Sequence, residues 1–194
     1  MKYKSILPFI GEYAVVSVES DKYGVIDRSA NVIVPPTWDM IEYAGGDFIA
    51  VSVGFCRGGD CCDEDDGIWR IRSLSGRETT QTDFAALHPW GDSNHFTAVD
   101  LETDLFGVVD IDGEIVIPFE YDYLSFYGPQ DGKDWLYAHK NGKYGYITIR
   151  GEVAIPLIYD NISPIFRESS DDWLTVEKDG ECYYINQKGE RVLL

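Results

Sequence analysis

FGVVDIDGEIVIPFEYD, residues 106–122, is the stretch whose reading decides the fold. An aromatic-Gly pair opens it, Gly113 divides two apolar runs, Pro118 follows, and Tyr121-Asp122 close it. The pattern recurs along the chain. Copies start at Tyr23-Gly24, Trp69-Arg70, Phe106-Gly107, Tyr144-Gly145 and Cys182-Tyr183, spaced by 46, 37, 38 and 38 residues. The dividing residue is Ala30, Gly76, Gly113, Gly151 or Gly189. Five residues later come Pro35, Gln81, Pro118 and Pro156, then the aromatics Trp38, Phe84, Tyr121 and Tyr159, with Asp at 39, 122 and 160. A fixed period of this size signals a repeat architecture.

Each copy reads as short strands. Residues 108–111 and 115–117 flank Asp112-Gly113, and 146–149 and 153–155 flank Arg150-Gly151, as hairpins whose Gly takes a positive φ. Pro118 and Pro156 are expected to end the second strand, because proline cannot donate to a ladder. A further strand, 135–139 or 173–177, leads through Asn141-Gly142 or Asp179-Gly180 into the next copy. Three meandering strands would invert every second copy, so a fourth is expected at 121–126, 159–165 and 38–43. Four short antiparallel strands in about 38 residues match a propeller blade. Residues 3–9 match 159–165, so the chain begins with the second half of a unit and ends with the first half of another. The expected fold is one all-β domain over 1–194: about five antiparallel units in a propeller-like closed ring, the two terminal halves completing one unit. An open β-solenoid-like array is the alternative. Copy two is the outlier, with Arg70, Gln81 and Ala85 in place of Gly, Pro and Asp.

The pattern, with its Tyr-Asp and its Asn-Gly-Lys strand end, resembles the WG (KWG) β-repeats of bacterial proteins. The resemblance is closest in copies three and four. Tyr23, Phe106 and Tyr144 keep the aromatic slot while replacing the namesake Trp. It implies a repeat scaffold for interactions, commonly without catalytic residues, and some stand-alone members occur beside toxin or secretion systems.

Charge narrows the partners. Sixteen Lys and Arg against 34 Asp and Glu give a net charge of −18, which disfavours nucleic acid and anionic membranes. No apolar run approaches the roughly 20 residues of a membrane helix, and the N-terminus lacks a signal-peptide pattern, so a cytoplasmic protein is expected. The insertion 54–66, GFCRGGDCCDEDD, lengthens the first spacing. Cys56, Cys61 and Cys62 do not follow a zinc spacing, and the acids do not follow a Ca²⁺ loop. An acidic loop, inert or partner-contacting, is favoured there over a metal site or a disulfide; no metal or cofactor is expected.

Asp39, Asp122 and Asp160 could suggest acid–base chemistry, but their repetition marks them as turn acceptors. Asp27 and Asp110 are likewise repeat positions, and His88, His95 and His139 read as surface residues. No phosphate loop, nucleophile elbow or zincin motif occurs. The meander should bring the loops at 44–47, 90–95, 127–134 and 167–172 to one rim, collecting Asp47, Asp92, Asp131, Asp134, Glu168, Asp171 and Asp172. Trp90 and Tyr127 accompany them, while Trp135 and Trp173 are expected to pack in the core. The candidate partner-binding set is Trp90, Asp92, Tyr127, Asp131, Asp134, Glu168, Asp171 and Asp172 of this rim, with Asp63, Glu64, Asp65 and Asp66 of the insertion, which is expected on the opposite rim. Charge steers a basic protein and aromatics anchor it. The expected function is therefore a non-enzymatic protein-binding module, most specifically an acidic immunity protein that masks a basic toxin. A generic scaffold ranks second and a channel-based hydrolase or small-molecule binder last.

Overall fold

In a computed structural model, residues 3–54, 67–76, 82–90, 94–126, 135–163 and 173–192 are described. Among them the regular elements are all strands, arranged in five antiparallel sheets in chain order. The first holds β1 (Ser5–Ile6), β2 (Tyr13–Ser17), β3 (Tyr23–Asp27) and β4 (Val32–Trp38). The second holds β5 (Met40–Glu42), β6 (Phe48–Val53) and β7 (Ile68–Ser73). The third comprises β8 (Ala86–Pro89), β9 (His95–Val99), β10 (Phe106–Asp110) and β11 (Ile115–Tyr121). The fourth comprises β12 (Tyr123–Phe126), β13 (Trp135–Lys140), β14 (Lys143–Thr148) and β15 (Val153–Tyr159). The fifth is β16 (Asn161–Ile162), β17 (Trp173–Lys178), β18 (Glu181–Asn186) and β19 (Arg191–Val192). Fourth strands are thus present where expected, as β5, β12 and β16.

Two expectations are corrected. The sequence repeat and the sheet are out of frame: each sheet takes the second half of one copy and the first half of the next. Among the described residues β1–β4 and β16–β19 are accordingly four-stranded meanders, each formed from its own stretch of chain. The half-units at the termini are therefore the offset between sequence repeat and sheet. Nor do the prolines end their strands, since β4, β11 and β15 run through Pro35, Pro118 and Pro156. Those strands are sheet edges, where a missing N–H costs no ladder bond.

The aromatic-Gly pair has its cause at the same place. Tyr144 pairs with Tyr159 and Tyr146 with Ile155, so Gly145 alone faces the three residues between Ile155 and Tyr159. The edge strand bulges there and crowds the glycine. A Cβ on Gly145 would lie 2.6 Å from the Ile155 carbonyl oxygen; on Gly24 it would lie 2.5 Å from that of Val34, and on Gly107 2.8 Å from that of Ile117. Copy two carries Arg70 in this slot. Its outer strand is reduced, among the described residues, to a single bridge between Trp69 and Phe84. The Arg70 guanidinium extends outward instead, with Nε 2.5 Å from Asp83.

Packing divides the chain into two compact units. The first takes residues 1–104 and 108–115, the second 105–107 and 116–194, so the division runs through the β10–β11 hairpin. In the first unit, Val15 and Val25 of one sheet pack on Ile41, Ile49 and Val51 of the next, with Val34 and Leu74. In the second, Tyr146, Ile155 and Tyr159 pack on Ile162, Leu174, Val176 and Ile185. Each core is a sheet-on-sheet layer, with both faces of the inner strands apolar as their sequences require.

Candidate functional site

The repeated aspartates are framework. In the second unit, Asp160 joins two successive sheets: one carboxylate oxygen pairs with Lys143 of β14 and the other accepts the Asp179 N–H, 2.7 Å away, in the β17–β18 turn. In the first unit, Asp39 pairs with Lys22 and accepts the Gly54 N–H at 2.9 Å. Lys143 and the Asp179 amide hold Asp160 below the ordinary carboxylate value. Partial burial pushes Asp39 up, but Lys22 and the Gly54 amide outweigh it and leave it lowered. Asp122 accepts the Asn141 N–H at 2.7 Å, while the lysine slot before its aromatic holds Leu105. Copy two lacks both partners, with Ile68 and Ala85 in the two slots. The lysine preceding the aromatic-Gly pair thus has a physical role as the cation of an inter-sheet staple.

A second slot caps the turn in four of the copies. Asp27 Oδ1 accepts the Ser29 and Asn31 N–H groups, and Asp110 Oδ1 those of Asp112 and Glu114. Thr148 and Asn186 do the same in their copies. The Asp27 and Asp110 carboxylates are engaged by backbone. The histidines are engaged too: His88 Nδ1 lies 2.9 Å from Glu42, His139 stacks on Tyr144, and the His95 ring lies against Trp90. Among the described residues no three His, Cys, Asp or Glu side chains converge as a metal cluster.

Of the candidate partner-binding residues, Asp92, Tyr127, Asp131, Asp134, Glu168, Asp171, Asp172, Asp63, Glu64, Asp65 and Asp66 lie outside the described residues. Trp90 lies inside them, and it is 5% exposed, with its indole N–H donated to Thr97 at 2.7 Å. Its ring is therefore a packing element and not a surface anchor. Trp173 departs from expectation in the other direction. At 40% exposure it lies beside Tyr184 on a face of the fifth sheet, whereas the matching face of the fourth is covered.

One acidic residue of the expected rim is described, and it stands at a cleft. Asp47 ends the turn before β6, and its carbonyl accepts the Leu74 N–H at 2.8 Å. It borders an open cleft of about 660 Å³ lined also by Tyr13, Ile33, Phe48, Ser73, Leu74 and Ser75. Phe48 and Ser73 are register partners, which sets them side by side. Tyr43 stands edge-on to Tyr13 at 6.3 Å and is tied by its hydroxyl to the Gly46 carbonyl. Burial pushes its phenol up, and Tyr13 and Asp47 add to the shift. Ser73 and Ser75 share a 2.8 Å hydrogen bond. Among the described residues the Asp47 carboxylate makes no ion pair or hydrogen bond. Sequence reasoning found Asp47 among the loop acids. It missed Tyr13, Phe48 and Ser73, whose strand positions carry no signal that they meet.

Sheets of meandering strands, stapled and capped at repeated slots, with distinctive residues confined to loops and clefts, define an all-β repeat protein. The chain belongs to the WG containing repeat family, whose model matches residues 23–54, 106–144 and 144–182, more than half of the sequence. Copy two, with Arg70 at the bulge, falls outside the matches. No curated protein matches the chain. Among solved structures it is similar to AztD of Citrobacter koseri, at 16% identity and a TM-score of 0.39 over 97% of this chain and 57% of that one. It is also similar to a eukaryotic initiation factor, at 8% identity and a TM-score of 0.39 over 98% of this chain and 64% of that one. The chain thus spans less than two thirds of either structure's length.

Proposed function

We propose that this protein is a non-enzymatic binding module for a basic protein, acting in the cytoplasm by stoichiometric occlusion. Its most specific form is an immunity protein that masks a basic toxin. The observation that carries the proposal is the Asp47 cleft, where a carboxylate without a partner among the described residues borders an aromatic wall. The net charge of −18 supports it, because a field of that sign speeds encounter with a cationic surface. So does the engagement of the repeated aspartates in staples and caps, which accounts for those acids within the fold. The arrangement of the sheets as blades of a closed ring belongs to the same proposal, supported by four-stranded meanders of blade size; small-angle scattering distinguishes it from an open array. The second reading, a scaffold that binds through an apolar face, is favoured by the exposure of Trp173 and Tyr184.

Titration calorimetry against the basic product of a neighbouring gene tests the two. Affinity falling tenfold or more between about 50 and 200 mM salt, roughly the loss expected when several charge pairs are screened, supports the first reading. Salt-independent binding abolished by Trp173→Ser supports the second.

A further inference from the structure

We infer that the exposed face of the fifth sheet docks a cationic side chain of the basic partner, at Glu177; this rests on the proposed function above and gives that contact a place. Register settles which side chains share the face. Asn161, Glu177 and Cys182 pair across β16, β17 and β18, and Thr175 pairs with Tyr184 one step along. Cross-strand partners project to the same side of a sheet. The alternate positions Ile162, Val176 and Ile185 are each 1% exposed and pack in the core shared with the fourth sheet. An open depression of about 290 Å³ borders Asn161, Thr175, Glu177 and Cys182, together with Ile162 and Val176. Because the Ile162 and Val176 side chains are enclosed in the core, the depression lies on the opposite side, the one to which Glu177 and its row project.

Comparison with the fourth sheet shows what the depression replaces. There the same row is Tyr123, His139 and Tyr144, and the His139 ring stacks on Tyr144 at 4.2 Å. The fifth sheet has Asn161, Glu177 and Cys182 in that row, and Thr175 where the fourth has Tyr137. Only the aromatics Trp173 and Tyr184 are kept, with ring centroids 6.3 Å apart. Rings suit a face that another sheet covers, whereas a lone carboxylate there would be costly to bury. Among the described strand positions of this face Glu177 is the one charged residue, and among the described residues its carboxylate makes no ion pair or hydrogen bond. Lys178 alternates to the other side, as does Arg191, which pairs with Ile185 in register and lies over Tyr183. Charge complementarity therefore selects a cation, and the net charge of −18 steers the same sign of partner to it. A lysine or arginine stem finds room beside the small Cys182, its head meets Glu177, and the Tyr184 ring adds a cation–π surface.

The test titrates the full chain with acetyl-tetralysine amide, with acetyl-tetraglutamate amide as control, followed by amide NMR. Saturable shifts are expected at Thr175, Glu177, Cys182 and Tyr184 with the lysine peptide and none with the glutamate peptide. Glu177→Gln should weaken the binding about threefold or more, the scale of one exposed charge pair. Cys182→Tyr, which puts the fourth sheet's ring into the depression, should weaken it at least as much. Asp47→Asn should leave these shifts as they are. An unchanged free-state spectrum away from the fifth sheet separates loss of the site from loss of fold, and Glu177→Gln alone decides the matter if the larger substitution disturbs the sheet. Shifts spread evenly over the acids of the chain, or binding unaffected by Glu177→Gln, would overturn the assignment. Failure of the peptide at this face alongside salt-sensitive capture of a basic protein removes the site and leaves the broader function standing. Saturable binding here without capture of any basic protein keeps the cation site and removes the function.

Discussion

At the scale of the residue, the turn slot shows how directly local chemistry is written in this chain. Ala30, Gly76, Gly113, Gly151 and Gly189 all adopt positive φ, at 63°, 92°, 80°, 78° and 78°. Four of the five are glycine, and Ala30 holds the same conformation against the steric cost of its Cβ. Ala30→Gly should therefore stabilise the protein by about 0.5–1 kcal/mol, raising the urea midpoint, with Gly113→Ala shifting it the opposite way. His88 offers a pH-dependent counterpart. Its hydrogen bond to Glu42 raises its pKa above the ordinary 6.5, against the lowering effect of burial. Because the folded value is the higher one, the stabilisation is complete below the unfolded pKa and disappears as pH climbs through the folded value. His88→Gln should lower the melting temperature at about pH 5.5 and leave it nearly unchanged at about pH 8.5. An equal loss at both pH values would mean that packing, not charge, is what His88 contributes.

At the scale of the element, the strand pair around the aromatic-Gly dipeptide explains why the repeat needs its glycine. Gly145 faces a bulged edge strand whose carbonyl would sit 2.6 Å from a new methyl group. Backbone cannot swing aside as a long side chain can, so Gly145→Ala should cost about 3 kcal/mol and lower the melting temperature by several degrees. Copy two is the natural counterpart. With Arg70 in the slot, its described outer strand is one bridge and an ion pair to Asp83. Position 70 lacks the glycine, position 81 the proline, and positions 68 and 85 the lysine and aspartate of the staple. These absences belong together, because each missing feature serves the close approach of an edge strand or its junction to the next sheet. The divergence that makes the second copy hard to see in sequence is one structural change expressed at several positions.

At the scale of the whole molecule, charge opposes stability more than it supports it. Most ion pairs among the described residues are surface contacts, among them Lys4–Asp21 and Lys143–Asp160. Exposed pairs of this kind contribute little once solvent screens them, while a net charge of −18 acts on every acid in the chain. Added sodium chloride should therefore raise the melting temperature, since screening relieves self-repulsion more than it weakens the pairs. A melting temperature that falls with salt would show that the staples dominate. The same charge that strains the folded chain is the one a basic partner would neutralise.

The sequence by itself determined the β-class, the period, the hairpin turns at Asn141-Gly142 and Asp179-Gly180, and the structural role of the repeated aspartates. All of these are set by contacts within one or two copies, where φ preference, hydrogen-bond geometry and strand alternation act locally. Tertiary structure decided the frame of the sheets, the continuation of β11 and β15 through their prolines, the burial of Trp90 and the exposure of Trp173. Those depend on which strand lies at an edge and which face another sheet covers, and neither is encoded at the position itself. The Asp47 cleft divides the same way. Its carboxylate was legible as a loop acid, but Tyr13, Phe48 and Ser73 come from three strands of two sheets, and only their packing brings them together.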